Sequence, residues 1–355
     1  MSDDEAPAGG GTPYYQDSDD DALALDLNEP AQPSPPVAGP SSARSPGEPA
    51  KKRARVDVEP ARPTNGHSTT PPAAPSTSAS SAPATSNFGS AIEPSIFGVD
   101  PINELTREVA EWLVAWTTDR QHVEIEAKIG LLLHPGANDL RYPLPVATEA
   151  ILTTPNPVPR FESGMSVAQH KHYNDMLNDR VQQQGRPGWN APKITYTHVY
   201  ELDEFHNVPG MNGRIRVTRD NHPKHANTVL ASVIKERVAN MEVFEPKQPF
   251  DFRISVSTET PAGKPNGQPS SGRKKDRISY AQSPFRIDLT QVKSLDPREG
   301  VKHELEIEIA DMATFQREAK LYSDPATQDS SRLLQLVQAF LDNVRMLIRN
   351  APETA

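Results

Sequence analysis

The sequence predicts an α+β fold in which antiparallel strands close into a barrel. The interior of that barrel is wet and charged, and helices cover its apolar exterior. Two observations carry this reading. In residues 301–309, alternation with a period of two puts Glu304, Glu306 and Glu308 on one face and His303, Leu305, Ile307 and Ile309 on the other. Residues 123–129 repeat the pattern, with Glu124, Glu126 and Lys128 opposite Val123, Ile125, Ala127 and Ile129. The second observation is that strand after strand between them carries a face of mixed charge. Same-face side chains on a strand begin roughly 6.5–7 Å apart, so carboxylates set this closely repel unless cations sit among them. An ordinary sheet would leave such faces in water, whereas a barrel can turn them inward. A sandwich with salt-bridged outer faces accounts for the same alternation, and the pattern alone leaves it open.

The 355-residue chain contains 36 prolines and no cysteine, with a formal net charge of −10. Without cysteine there is no disulfide, no thiol nucleophile and no cysteine-ligated zinc. The negative balance argues against a generic nucleic-acid coat but allows a local basic site. Nothing reads as a signal peptide or a membrane-spanning run, so a soluble, intracellular protein without a membrane partner is expected. Residues 1–86, rich in Pro, Ser, Ala, Thr, Gly and Asp, bury too little apolar surface to offset chain entropy and are expected to be disordered. Within them, residues 19–27 mix acidic and aliphatic side chains as short docking motifs do, and Lys51-Lys52-Arg53-Ala54-Arg55 suits a nuclear import receptor. Order is expected from Phe88 to Phe97 onward, giving a catalytic domain over 87–350 and a tail over 351–355.

In that domain, Asp100 is placed to cap a first helix with Pro101 at its first position. Ile102, Leu105, Val109, Trp112, Leu113 and Trp116 then recur at helical spacing, with both tryptophans expected in the core. Residues 140–146 and 151–159 read as extended or loop, and 167–183 as a helix. A hairpin is expected from 194–205 and 214–218, flanking a glycine-containing turn. Arg214 and Arg216 share a face there, Lys235 and Arg237 share one in 232–238, and Arg253, Ser255, Ser257 and Glu259 share one in 251–259. A Pro/Gly/Ser-rich loop over 260–272 precedes Arg273, Lys275 and Arg277 on one face of 273–280, and Arg286, Asp288 and Thr290 on one face of 285–292. Lys274 and Lys302 are expected to point away from the charged faces. Residues 312–321 and 331–350 read as amphipathic helices. A lumen of both signs suits joint metal and phosphate chemistry: carboxylates are hard ligands for Mg²⁺ or Mn²⁺, and cations grip phosphoryl oxygens.

The pair Glu-Ile-Glu-Ala-Lys (124–128) and Glu-Leu-Glu-Ile-Glu (304–308) resembles the two metal-binding motifs of the triphosphate tunnel metalloenzymes. More closely, the chain resembles the fungal metal-dependent RNA 5′-triphosphatases of mRNA capping. The supporting segments, in the family's order, are Arg-Phe-Glu-Ser-Gly-Met (160–165), Gly-Arg-Ile-Arg-Val-Thr (213–218), Val-Ile-Lys-Glu-Arg (233–237), Asp-Phe-Arg-Ile-Ser-Val-Ser-Thr-Glu (251–259), Arg-Lys-Lys-Asp-Arg-Ile-Ser-Tyr (273–280) and Arg-Ile-Asp-Leu-Thr (286–290). Met165, where the family more often has Val, and the long loop over 260–272 depart from the pattern without touching its charged residues.

The resemblance implies a closed eight-stranded antiparallel tunnel that removes the γ-phosphate from the 5′-triphosphate end of nascent mRNA, leaving a diphosphate end. It implies Glu124, Glu126 and Glu308 as ligands of Mg²⁺ or Mn²⁺, with Glu304 and Glu306 holding water around the metal or bracing basic residues. Arg216, Lys275 and Arg277 would grip the γ-phosphate, helped by Lys235, Arg253 and Arg286, and Lys128, on the same charged face as the ligands, would belong to the same catalytic set. Glu259 would orient or activate the attacking water, and Asp203, Arg273, Asp288 and Thr290 would support this set. It further implies a homodimer in the nucleus, acting on triphosphate RNA beside mRNA guanylyltransferase or the phosphorylated tail of RNA polymerase II; the family's amino-terminal guanylyltransferase-binding motif is not evident. The residues leave room for a tunnel hydrolase of small triphosphates or polyphosphate, and for a non-catalytic polyphosphate or inositol-phosphate sensor.

Overall fold

The structure, a computed structural model, describes residues 95–98, 101–137, 140–208, 213–222, 224–225 and 228–352. The expected disordered arm with its acidic and basic islands, Phe88 and Asp100 lie outside the described residues. Residues 95–98 form a turn in which the Gly98 N–H donates to the Ser95 carbonyl at 3.0 Å. Among the described residues, every helix and strand lies in the unit beginning at Ile102.

Ten strands alternate with four helices in this unit. They are α1 (Glu104–Thr117), β1 (Val123–Leu133), β2 (Ala150–Leu152), β3 (Arg160–Glu162), α2 (Val167–Gln183), β4 (Thr195–Asn207), β5 (Arg214–Asp220) and β6 (Val229–Phe244). They continue as β7 (Asp251–Pro261), β8 (Ser271–Gln282), β9 (Phe285–Ser294), β10 (Val301–Ile309), α3 (Met312–Ser323) and α4 (Leu333–Arg349). Eight strands run in the hydrogen-bonded order β10-β9-β8-β4-β5-β6-β7-β1, and β1 pairs again with β10. That last pairing closes the sheet and rules out the open sandwich. Every ladder is antiparallel.

Closure sorts the side chains as the alternation requires. Val123, Ile125, Ala127 and Ile129 of β1, Phe252, Ile254 and Val256 of β7, and Leu305, Ile307 and Ile309 of β10 are buried on the outer face. There they join one core with Leu113 of α1, Tyr173 of α2, Phe315 of α3 and Phe340 of α4. Full burial of side chains of this kind stabilises by about 1.5–3 kcal/mol each relative to exposure. Trp112 packs against this core as expected, whereas Trp116 is 37% exposed.

One local reading is corrected. Helix α1 starts at Glu104 rather than at Pro101, because the Asn103 side chain accepts from the Thr106 N–H at 3.2 Å and so caps it. The stretch between β1 and α2, read as extended or loop, contains two short strands: β2 pairs with β6, and β3 pairs with the end of β1. Gly130 permits that second pairing, since a Cβ on it would lie 2.1 Å from the Glu162 carbonyl oxygen. Helix α2 matches its expected span, closed by a capping box between Ser166 and Gln169. Among the described residues no helix is long and apolar enough to cross a membrane.

Candidate active site

Inside the barrel, the inward faces of the strands meet around a cavity of about 270 Å³. That is just below the usual range for small-molecule sites. Seven carboxylates line it (Glu124, Glu126, Glu201, Glu259, Glu304, Glu306 and Glu308), together with seven cations (Lys128, Arg216, Lys235, Arg273, Lys275, Arg277 and Arg286). The two signs interleave because antiparallel registers place unlike residues opposite one another: Glu259 faces Lys235, Glu306 faces Lys128 and Glu308 faces Arg286.

Around the two-glutamate strand β1, Lys235 bonds to Glu124 and lies 3.7 Å from Glu126 and 3.5 Å from Glu259. Arg237 donates to Glu126 at 3.2 Å. Burial alone would raise the Glu126 carboxyl, but Lys235, Lys128 and Arg237 outweigh it and hold it well below the usual carboxylate range. Glu308 lies directly across the β1–β10 seam from Glu126. Burial pushes Glu308 up to about 8, and the charges of Glu124, Asp288 and Glu306 add to that despite the bond from Arg286. Glu306 is raised for similar reasons, burial first. Glu304 is instead lowered against its burial, by Lys128 at 3.9 Å and by Arg273 and Lys302, and it also accepts from Ser163 at 3.1 Å.

On the opposite wall, Arg216 donates to Glu259 at 2.9 Å. Arg277 sits 3.5 Å from Asp288, 3.9 Å from Glu306 and 4.0 Å from Glu201. Asp203 is fully buried and serves three donors: Lys275 at 2.6 Å, Thr218 at 2.7 Å and Arg273 at 3.1 Å. Burial would raise its carboxyl, but Lys275, Arg273 and Arg216 outweigh it and hold it low. The same contact does not keep Lys275 high. Its own burial, followed by Arg273, Arg277 and Arg216, outweighs the one shared carboxylate and pushes its ammonium down to about 8.

The candidate residues are thus brought together, with one exception in position. Arg253 lies on the inward face opposite Lys128 but does not line the cavity; it donates to Glu242 at 2.8 Å and covers the Phe161 ring at 4.6 Å. Asp203 and Asp288 stand behind the lining as braces. Lys302 contradicts its expected placement. It has the same parity as Glu304, Glu306 and Glu308, so it shares their face, and its charge helps to lower Glu304. Three members of the charged interior carry no assignment from the sequence. Glu201 lies two residues before Asp203 on β4, and Arg237 two residues after Lys235. Glu242 pairs with Arg253 only because a bulge between Arg237 and Ala239 reverses the facing of β6.

Among the described residues no three acidic or histidine side chains close into ready metal-ligand geometry. The donors nevertheless fit a hard divalent cation. Glu124, Glu126 and Glu308 are all oxygen ligands, and Glu126 and Glu308 are direct partners across the seam. The repulsion that raises Glu308 is what a cation between them would relieve. A second set of atoms suits an anion. Arg216 Nε, Arg277 Nε and Thr290 Oγ1 are buried without a hydrogen-bond partner, and buried donors in that state are rare unless a ligand or water serves them.

Comparison with known proteins agrees with this geometry. The family described as mRNA capping enzyme, beta chain, matches residues 99–353. The mRNA-capping enzyme subunit beta of Schizosaccharomyces pombe is 35% identical over 256 residues, spanning 70% of this chain and 82% of that protein. The subunit beta of Cryptococcus neoformans is 34% identical over 266 residues, 72% of this chain and 64% of its own length. Among solved structures, the S. pombe Pct1 RNA triphosphatase in complex with the Spt5 CTD superposes with a TM-score of 0.67 at 33% identity, over 74% of this chain and 98% of that one. With nearly the whole barrel unit matched and the tunnel intact, the chain belongs to the mRNA capping enzyme beta chain family.

Proposed function

We propose that the tunnel hydrolyses the β–γ phosphoanhydride at the 5′ end of nascent mRNA, releasing phosphate and leaving a 5′-diphosphate. The chain is an RNA 5′-triphosphatase of mRNA capping. The observation that carries the chemistry is the pair of buried guanidiniums, Arg216 and Arg277, each with an unused Nε–H in a cavity small enough for a phosphate end. Enzymes of this family are metal-dependent; we assign Mg²⁺ or Mn²⁺ to Glu124, Glu126 and Glu308. When bound, such an ion polarises a phosphoryl oxygen and neutralises charge built up in the transition state.

The protein's part is positioning and electrostatics, as phosphoryl transfer needs no covalent nucleophile. Arg216, Lys275 and Arg277 hold the γ-phosphate, with Lys235 and Arg286 beside them and Lys128 deeper among the glutamates. Asp203 and Asp288 fix those cations in place, Arg273 shares Asp203 with Lys275, Thr290 offers its unpartnered hydroxyl beside them, and Arg253, tied to Glu242, buttresses the wall rather than touching the phosphate. Glu259 is held below its ordinary range, chiefly by Arg216 and Lys235 against its burial. It is therefore a weak base that orients the attacking water by accepting its hydrogen bond. Phosphate release from γ-labelled triphosphate RNA, set against a free nucleoside triphosphate and with or without EDTA, tests the whole reading; no release from RNA would refute it.

A pH dependence follows from Lys275. Its ammonium is needed to meet the phosphate and begins to lose its proton near pH 8 in the empty tunnel. The expected result is a kcat/KM that falls as pH rises through about 8, up to tenfold per unit for one essential proton. Lys275→Arg, which stays charged, should move that limb to higher pH; an unmoved limb would assign it to another group.

For the whole chain we propose a nuclear homodimer with a partner in the capping machinery. The fission yeast triphosphatase is seen with the Spt5 CTD; a peptide of that kind, the polymerase tail and mRNA guanylyltransferase are the partner classes we extend to this chain. The arm over 1–86 we assign to localisation. A chain starting at residue 87 should keep full turnover in vitro, and a soluble but inactive product would place part of the enzyme in the arm.

A further inference from the structure

The cavity lining is almost wholly charged, yet one large apolar side chain stands in it. Of its eighteen residues, fourteen are charged, two are threonines, and only Leu230 and Ala231 are apolar. Leu230 is placed there by an irregularity in the sheet. On the ladder between β5 and β6, Thr218 pairs with Ala231 and Arg219 with Val229, so Leu230 is the extra residue of a bulge. Strict alternation from the inward-facing Ala231 would send Leu230 to the outside of the barrel. The bulge turns it back into the cavity, which is a recurrent use of bulges beside active sites. Leu230 is not tucked into packing there. It remains 55% exposed, next to the β5–β6 connection where the barrel wall ends. Val199, the next inward-facing position beyond Glu201 on β4, is 37% exposed, and β4 has lost its β5 partner by that point.

We propose that Leu230, with Val199, forms an apolar lip that receives the first nucleoside of the RNA against the tunnel mouth. This rests on the triphosphatase reading and deepens it. The triphosphate pairs with the seven cations of the lining, but the ribose and base attached to it cannot follow into so small and polar a cavity. A base has two flat apolar faces, and covering one of them at the rim removes surface from water. An aliphatic contact of this kind is indifferent to base identity, as a capping enzyme that meets any transcript start requires. The lip also accounts for the irregularity in β6, since a regular ladder would spend Leu230 on the exterior.

The test compares triphosphate-ended RNA with inorganic tripolyphosphate, which carries the phosphates but no nucleoside, in the full-length enzyme with Mn²⁺. The readout is the ratio of kcat/KM for RNA to that for tripolyphosphate. Leu230→Ser should lower this ratio about five- to thirtyfold, the size expected for losing one apolar contact. Leu230→Trp should raise it, because an aromatic face stacks on a base better than an aliphatic one. The exposure of Leu230 makes both variants foldable, and circular dichroism verifies that. If both substrates change in parallel, Leu230 shapes the phosphate site and the lip is refuted, as it is if neither changes, while the triphosphatase reading stands. If the wild-type enzyme releases no phosphate from RNA, the functional reading falls and the lip falls with it.

Discussion

Glu308→Ala is expected to reduce γ-phosphate release by about a thousandfold or more, the upper range for loss of one electrostatic contact to a transition state, and EDTA should do the same to the wild-type enzyme. Glu308 and Glu126 meet across the β1–β10 seam, and the proposed ion sits where their charges converge. The fold should survive the substitution. Glu308 is held up near 8 by burial and by the neighbouring carboxylates, so its removal takes away a repulsion. Arg286, which loses a partner, still donates to Asp288 at 3.1 Å. The variant should therefore melt no lower than the wild type while losing turnover, and Glu126→Ala should lose as much activity. A Glu308→Ala enzyme that keeps its rate, or a wild type indifferent to EDTA, would remove the metal from the proposal.

Arg277→Lys tests the opposite charge. The side chain is 19% exposed and sits among Asp288, Glu306 and Glu201 at 3.5–4.0 Å, with its Nε–H unused. A guanidinium in that position can hold its braces and still offer a planar fork to two phosphoryl oxygens, whereas an ammonium is one point charge in a different place. The expected loss in single-turnover rate is about a hundred- to a thousandfold. Lys274→Ala, three residues away but exposed on the outer face of β8, should be nearly silent. Equal losses at the two positions would mean that β8 is turned the other way.

The charged interior was legible in the sequence because a barrel wall preserves the period of two, so every regular strand announced its inward face. The failures fall where that period breaks or was not carried through. Glu242 and Leu230 both owe their orientation to bulges in β6, and a single extra residue inverts every later side chain on the strand. Glu201 sat on the correct face of β4, but that strand was read for Asp203 alone. Lys302 was misplaced although its spacing from Glu304 already fixed its side. Strands β2 and β3 are three residues long, too short for any periodicity; their existence depends on β6 and β1 being there to pair with them. The start of α1 was displaced because Asp100 and Asn103 are both acceptable caps, and only the finished helix shows which one bonds.

The β1–β10 seam has a consequence for how the molecule is made. It joins the first long strand of the unit to the last, so Glu126 cannot meet Glu308 until almost the entire domain has left the ribosome. Contacts so distant in sequence are slow to form. Until they do, β1 and the growing end of the sheet both present unpaired backbone, which is a route to association with other chains. A transcript broken just before the codon for Glu308 would yield a polypeptide with all seven of the lining cations but without the full set of proposed metal ligands. Catalytic competence thus arrives in one late step, and it marks a chain that has been synthesised through to its last strand.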